Sequence, residues 1–335
     1  MARSRSFLFD LYWAIVFAAL GGLITYAFQG QVQVVAATWG AVALIVLIPI
    51  VFNFPTRFWG RLMPPVWRVA RATFHESFRR RFLNGILVFA ILIIGSSWVL
   101  AYLQPGAELK LLIDIGLGSC RFFGLLIAVF LGTRLVADEI ERRTIHTLLA
   151  KPVTRTQFLM GKFLGGYATV FANVALMGIA FYIVFAIKAP QFRHPSPDSG
   201  ITPYHMEFMY GNILKALGLI FCELAVLTAL STAASTVFSW IFASIFSFFV
   251  YFVGQMSDFF RQLSEPERNV GKVAQVILLL IYRLLPHFEI FDMREAILKD
   301  ELVPMEVITK HALQGLLYVV IILIIGYLAF NEREV

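Results

Sequence analysis

The stretch IGLGSCRFFGLLIAVFLGTRLVADEIERRTIHTLLAKPVTRTQ, residues 115–157, changes character abruptly at Asp138. Its first half is a run of apolar and small residues, close to the ~20 residues that a helix needs to cross the hydrocarbon core of a bilayer. Its second half, the charged insert (residues 138–157), mixes acidic and basic side chains and contains a proline. This pattern predicts a membrane-spanning helix that emerges into water and is followed by a polar element.

The whole chain has the composition of a membrane protein. Of its 335 residues, 59% are hydrophobic and 15% are charged, and the mean hydropathy is +0.78. These values are far from those of an average soluble domain. The sequence therefore predicts an all-α polytopic membrane protein, with spans at residues 11–28, 35–52, 82–103, 115–137, 158–187, 211–235, 240–256 and 312–330.

The distribution of basic residues predicts the orientation, because Lys and Arg collect in cytoplasmic loops. Seven arginines follow the second predicted span: Arg57, Arg61, Arg68, Arg71, Arg79, Arg80 and Arg81. Counting spans from there places both termini and the charged insert in the cytoplasm, with the chain in the plasma or bacterial inner membrane. The net charge of +7 follows from this topology, so no nucleic-acid partner is expected.

Three regions can be separated along the chain. Residues 1–56 form a two-span hairpin, residues 57–81 a cytoplasmic amphipathic helix, and residues 82–335 a six-span transmembrane domain with an outer segment at 258–310. The amphipathic helix is expected to lie in the interface, with its apolar face in the acyl chains and its arginines toward headgroups. The residues of this helix that are expected to contact the interface are Trp67, Arg68, Arg71, Phe74 and Arg79.

The outer segment contains a second apolar stretch, residues 273–285. It is short for a crossing and includes Arg283, which favours a re-entrant or surface-lying helix over a further span. Gly271 and Pro286 bracket it as helix-ending signals.

Within the charged insert, the sequence predicts a short amphipathic helix, a stop and a new helix start. Pro152 disfavours helical geometry at the preceding residue, and Thr154 with Gln157 has the spacing of a capping box. A solvated connector would need fewer residues, so we favour a docking element for a cytosolic partner. Its candidate contact residues are Glu139, Glu141, Arg142, Arg143, His146, Leu149, Lys151 and Pro152.

Three ionisable residues are expected at membrane depth: Arg121 and Glu223 inside predicted spans, and Asp114 next to the start of the span 115–137. Charges at membrane depth are costly, so such residues usually face one another or a cavity. Two interpretations stay open, an internal Arg121–Glu223 pair that fixes packing and a group of side chains that contacts a substrate.

No catalytic, cofactor-binding or metal-binding residue is predicted. His75-Glu76 lacks the second histidine of a zinc-protease motif because Arg79 stands there, and Gly161-Lys162 is followed by Phe163 and therefore does not form a phosphate-binding loop. The two cysteines, Cys120 and Cys222, are interpreted as packing residues.

The stretch VADEIERRTIHTLLAKPVTRTQFLMGKFLGGY, residues 136–167, resembles the signature of ABC-2 type permeases. Within them it is similar to the branch associated with multi-copper enzyme maturation, which includes the membrane subunit of the nitrous-oxide-reductase copper system. Weaker similarities extend the resemblance over residues 64–335. The two N-terminal spans lie outside the six-span core of that family.

The resemblance implies that the charged insert is a coupling helix, that residues 64–82 form an elbow helix, and that residues 273–285 correspond to re-entrant helices near the outer gate. It also implies a homodimer or heterodimer of permeases, with ATP and Mg²⁺ bound by a separate ABC ATPase subunit, and leaves room for a periplasmic accessory protein. The alternatives are a secondary transporter that uses Asp114 and Glu223 as ion sites and a maturation factor that acts without ATP.

Overall fold

The computed structural model describes residues 64–101, 108–141, 154–193, 206–264, 272–299 and 303–332. Both N-terminal spans, the outer loop 194–205 and residues 142–153 of the charged insert lie outside this part. In the described ranges the chain is helical between short turns and contains no strand. The helices are α1 (Pro64–Phe78), α2 (Arg81–Ala101), α3 (Glu108–Glu141), α4 (Arg155–Arg193), α5 (Met206–Val237), α6 (Trp240–Gln255), α7 (Ser257–Leu263), α8 (Lys272–Leu284), α9 (Arg294–Leu298) and α10 (Met305–Glu332).

The predicted all-α membrane fold is confirmed. Five helices, α2, α3, α4, α5 and α10, are long and apolar enough to cross a bilayer. Within the described residues the number of candidate spans rises to seven if α6 with α7, bent by 55°, and α8 with residues 288–298, bent by 46°, are each counted as one broken span.

Two of these helices are much longer than their apolar runs. The predicted span 115–137 lies inside α3, which has 34 residues, and the span 158–187 lies inside α4, which has 39. At 1.5 Å per residue they measure about 51 and about 58 Å, against a hydrocarbon core of about 30 Å. Hydropathy marks only the part of a helix in lipid, whereas backbone hydrogen bonding continues the helix into water.

The core lies between α3, α4 and α5. In their most apolar windows 72%, 56% and 67% of the residues are buried, against 22% in both α2 and α10. The buried hydroxyls of α5 bond to carbonyls of their own helix, as Thr228 Oγ1 does to Leu224 O at 2.6 Å. These hydroxyls therefore need no hydrogen-bond partner outside their own helix.

Helix α1 packs against α4 at two glycines spaced as in the small-xxx-small pattern of close helix pairs. A Cβ on Gly161 would lie 2.6 Å from Val69 Cβ, and one on Gly165 would lie 2.4 Å from Ala70 O. Ala70 and Phe74 are consequently buried. The expectation that this face lies in the acyl chains does not hold for Ala70 and Phe74, which are buried in the bundle, whereas Phe78 on the same face is 44% exposed.

The outer segment enters the bundle after a sharp turn. Helix α8 begins at Lys272 and ends at Leu284, between the two predicted signals Gly271 and Pro286. The 3₁₀ turn Phe288–Phe291 follows, and its two phenylalanines are 0% and 1% exposed. This turn positions Asp292 beside the polar groups of α3 and α5.

Candidate functional site

The charged insert leaves α3 and enters α4 at a cluster of paired side chains, here called the insert junction: Asp138, Glu139, Arg155, Phe158 and Lys162. The predicted capping box is present at its exit. Thr154 N donates to Gln157 Oε1 at 3.1 Å, and Gln157 N donates to Thr154 Oγ1 at 3.3 Å. These reciprocal bonds fix the first turn of α4.

The central contact of the insert junction is an ion pair between Lys162 Nζ on α4 and Glu139 Oε1 on α3. The side chain of Lys162 is 6% exposed and that of Glu139 is 20% exposed. Lys162 Nζ also lies 5.7 Å from the centroid of the Phe158 ring. Removing one partner of such a buried pair leaves the other charge uncompensated, so the pair holds α3 and α4 together where the insert begins.

A second bond connects the insert junction to α1. Arg80, just after α1, donates to Asp138 Oδ2 at 3.5 Å and to Glu76 Oε1 at 3.0 Å. All three side chains are partly exposed, so these are weaker contacts than a buried pair. Their consequence is geometric, because they place the end of α1 at the end of α3.

A third connection joins α4 to the end of α10. Arg155 Nη1 donates to the carbonyls of Phe330 and Asn331 at 3.0 and 3.1 Å. The last carbonyls of a helix have no partner within it, so the arginine satisfies them and complements the helix dipole. Phe158 stacks on Phe330 with ring centroids 6.2 Å apart.

The structure describes the predicted docking residues only in part. Glu139 turns toward Lys162, which ties it to the bundle. Glu141 is the last residue of α3, and most of the helix predicted within the insert lies outside the described residues. The others lie outside the described residues: Arg142, Arg143, His146, Leu149, Lys151 and Pro152.

Inside the bundle, Arg121 on α3 and Glu223 on α5 form the predicted pair. Arg121 Nε donates to Glu223 Oε2 at 2.8 Å, and Arg121 Nη2 donates to Glu223 Oε1 at 2.7 Å. The glutamate is 0% and the arginine 12% exposed. Two parallel bonds between planar groups are the strongest form of this interaction.

The outer segment supplies further members of this network. Asp292 Oδ2 accepts a bond from Arg121 Nη1 at 2.7 Å, and Asp292 is also paired with Arg294 at 2.5 Å. Gln255 Nε2, at the end of α6, donates to Glu223 Oε1 at 3.0 Å. Asp292 is not among the predicted intramembrane residues, because it lies in the outer segment and outside every predicted span.

Asp114 makes no hydrogen bond to this network, although it interacts electrostatically with Arg294. It borders an open groove between α2 and α3 with Gly118, Ser119 and several phenylalanines. Although it is two turns from Arg121 on the same helix, the structure does not join the two in an ion pair.

The residues of α1 that were predicted to lie in the interface differ in their exposure. Phe74 is buried against α4, Arg68 and Arg79 are exposed, and Trp67 and Arg71 are partly buried. In the described ranges no three His, Cys, Asp or Glu side chains lie close enough to hold a metal ion. Cys120 is buried, Cys222 is partly buried, and both are free thiols.

Comparison with known proteins agrees with this architecture. The family described as ABC-2 family transporter protein matches residues 38–335, so the similarity begins earlier than residue 64, where the resemblance placed its start. The chain is 36% identical over 120 residues to the "Probable ABC transporter permease protein NosY" of Pseudomonas aeruginosa. It is 32% identical over 124 residues to the protein of the same name in Stutzerimonas stutzeri. Each match covers 35% of this chain and 43% of the relative.

Proposed function

Because the chain belongs to the ABC-2 family of transporter proteins, we propose that it is the permease subunit of an ATP-driven transporter. A separate nucleotide-binding subunit hydrolyses ATP, and this chain carries the resulting movement into the membrane. The curated relatives bear the name of a probable ABC transporter permease, which supports the same assignment over the part of the chain that matches.

The proposal places ATP and Mg²⁺ on the partner subunit, since the pair Gly161-Lys162 has a structural role in this chain. A phosphate-binding loop wraps backbone N–H groups around the phosphates and needs a free lysine after it. Here Gly161 packs against α1, and Lys162 is buried in an ion pair inside α4. Neither residue is available for a nucleotide.

The observation that carries the proposal is the insert junction. The charged insert starts and ends on helices that are bound to each other by Lys162 and Glu139 and bound to α1 and α10 by arginines. A force on the insert would therefore act on four helices at once. We assign ATPase docking to the insert, with Glu141, Arg142, Arg143, His146, Leu149, Lys151 and Pro152 as contact residues.

The arrangement in the membrane follows from the same proposal. Helices α2, α3, α4, α5, α6 and α10 form a six-span core, the insert faces the cytoplasm, and α8 with the turn after it is re-entrant from the outer side. Two permeases assemble with two ATPases. Helix α1 is the elbow helix, with Arg68 and Arg79 toward headgroups.

Co-purification tests the docking assignment. The protein is extracted in mild detergent with its associated soluble ATPase, and the variant Glu141→Arg/Arg142→Glu is compared with Lys299→Glu. Lys299 is an exposed residue in the outer segment, and among the described residues it is paired with the exposed Glu295. The insert variant is expected to lose most of the ATPase and the control variant none. Equal recovery from both variants contradicts docking at the insert, and full transport without any ATPase contradicts the proposed function itself.

A further inference from the structure

An open groove of about 860 Å³ runs along the bundle between α2 and α3. Its walls are aromatic, with Phe82 and Phe89 from α2 and Phe122, Phe123 and Phe130 from α3. Phe82, Phe89 and Phe122 are 60%, 57% and 55% exposed. Because both helices are long and apolar enough to cross the bilayer, the groove opens toward lipid.

Asp114 stands at one end of this groove and is the one ionisable residue among those that line it. Within the described part of the chain no hydrogen bond or salt bridge joins Asp114 to another residue. Arg294 lies near it, with Nη1 only 3.7 Å from where a Cβ on Gly118 would be, but Asp292 already holds that guanidinium. Arg294 attracts Asp114 electrostatically but is shared with Asp292, so a further cation beside Asp114 would lower the cost of placing its charge next to lipid.

The dimensions of the groove suit an amphiphile. From Asp114 to Phe130 it follows α3 for about 24 Å at 1.5 Å per residue, longer than the half-thickness of a hydrocarbon core of about 30 Å. Its volume falls within the ~300–1,000 Å³ of ligand pockets, which combine apolar walls with a few placed polar groups. A hydrocarbon chain along the phenylalanines would bring a polar head to Asp114.

We propose that this groove binds an aminolipid, with the protonated primary amine on Asp114 and the hydrocarbon chain against the phenylalanines. The charge of Asp114 selects the head, because a cation is attracted and a fatty-acid carboxylate is repelled. The open side of the groove favours a membrane lipid over a water-soluble amine, because a ligand enters it from the bilayer. Binding requires neither the ATPase nor transport.

Two probes of equal length test the role of Asp114: hexadecylamine and hexadecanol, each with a pyrene group at the tail end. The purified full-length protein in detergent is expected to bind the amine at least about tenfold more tightly than the alcohol, as a charge-assisted hydrogen bond implies. Asp114→Asn should abolish this preference and keep the alcohol binding. Glu108→Gln, a change of an acidic residue of α3 that does not line the groove, should keep both.

Two glycines of α2 provide a matched pair that tests the position of the chain. Gly85 lines the groove and Gly95 does not, and a Cβ on either would meet nothing within 4 Å. Neither substitution should therefore disturb the fold. Gly85→Leu is expected to weaken the binding of both probes several-fold, while Gly95→Leu leaves it unchanged.

Three results would overturn the proposal. The first is equal affinity of the wild-type protein for the amine and the alcohol, and the second is an amine preference that survives Asp114→Asn. The third is cross-linking of Phe89→Cys between two protein molecules by a bismaleimide that excess amine does not suppress. The groove would then be an interface between copies of this chain rather than a lipid site.

Discussion

Arg121 donates from Nε and Nη2 to the Glu223 carboxylate, at 2.8 and 2.7 Å, and from Nη1 to a second carboxylate, that of Asp292, at 2.7 Å. One guanidinium thus joins α3, α5 and the outer segment. The two acidic partners are not equivalent. Asp292 also has Arg294, whereas Glu223 is fully buried and depends on Arg121 for its charge partner.

Arg121→Met should therefore be more destabilising than Glu223→Gln. The first change leaves Glu223 buried without a cation, and losing one partner of a buried pair costs about 3–5 kcal/mol. In Glu223→Gln, Arg121 still has the Asp292 carboxylate as its charge partner. Thermal unfolding of the detergent-solubilised variants measures the difference.

The double variant Arg121→Met/Glu223→Met is the control for this comparison. It leaves no uncompensated charge from this pair, so it should regain much of the stability lost in Arg121→Met. If the double variant is less stable than either single variant, the pair stabilises the fold by more than the neutralisation of two buried charges.

Asp292→Asn should release the outer segment without unfolding the bundle. The change weakens the contact between Asp292 and Arg121, while Arg121 keeps Glu223 and stays neutralised. Amide hydrogen exchange of residues 288–298 is expected to rise at least about tenfold, which corresponds to roughly 1.4 kcal/mol of lost local stability. Exchange in α3 and α5 should change little.

Glu295→Gln serves as the matched control for that experiment. Glu295 lies in the same segment, but its side chain is 89% exposed and pairs only with the exposed Lys299 at 3.5 Å. Such a pair contributes little. Similar exchange in the two variants would mean that loss of charge anywhere in the segment loosens it.

Lys162→Glu should separate α3 from α4 at the insert junction, because it places two carboxylates side by side. We expect a loss of about 3–5 kcal/mol in unfolding free energy and a reduced recovery of the ATPase. The reversed pair Lys162→Glu/Glu139→Lys should restore most of both. A reversed pair as impaired as the single variant indicates that Lys162 acts through Phe158 or another neighbour.

Gly165→Leu should detach α1 from α4, because even a Cβ there would lie 2.4 Å from Ala70 O. We expect a destabilisation of about 1–3 kcal/mol, typical of overpacking, and easier proteolysis after α1. Gly211→Leu on α5 is the control, since a Cβ there meets nothing within 4 Å. Equal stability of the two variants would contradict the tight contact between α1 and α4.

The sequence predicted the five long spans of the described residues well, because hydrocarbon imposes one strong rule, a run of apolar residues that forms its own hydrogen bonds. The capping box at Thr154 and Gln157 and the Arg121–Glu223 pair were also predictable, the first from local spacing and the second from the cost of intramembrane charge. The exact helix ends were not, because helices continue past the lipid.

Tertiary contacts account for what the sequence did not reveal. The apolar face of α1 has the pattern of an interfacial helix, and only the glycines of α4 indicate that protein covers it. The sequence around Glu139 predicts an exposed side chain, whereas the structure pairs it with Lys162. Asp292 gave no local signal, because its partner Arg121 is 171 positions away.

Helices α5 and α6 are tied twice. At one point only Phe238 and Ser239 separate them, and at the far end of α6 Gln255 bonds to Glu223, in the middle of α5, at 3.0 Å. Sliding of one helix along the other would break this bond. We therefore expect the hairpin to move as one unit against its neighbours α3 and α10.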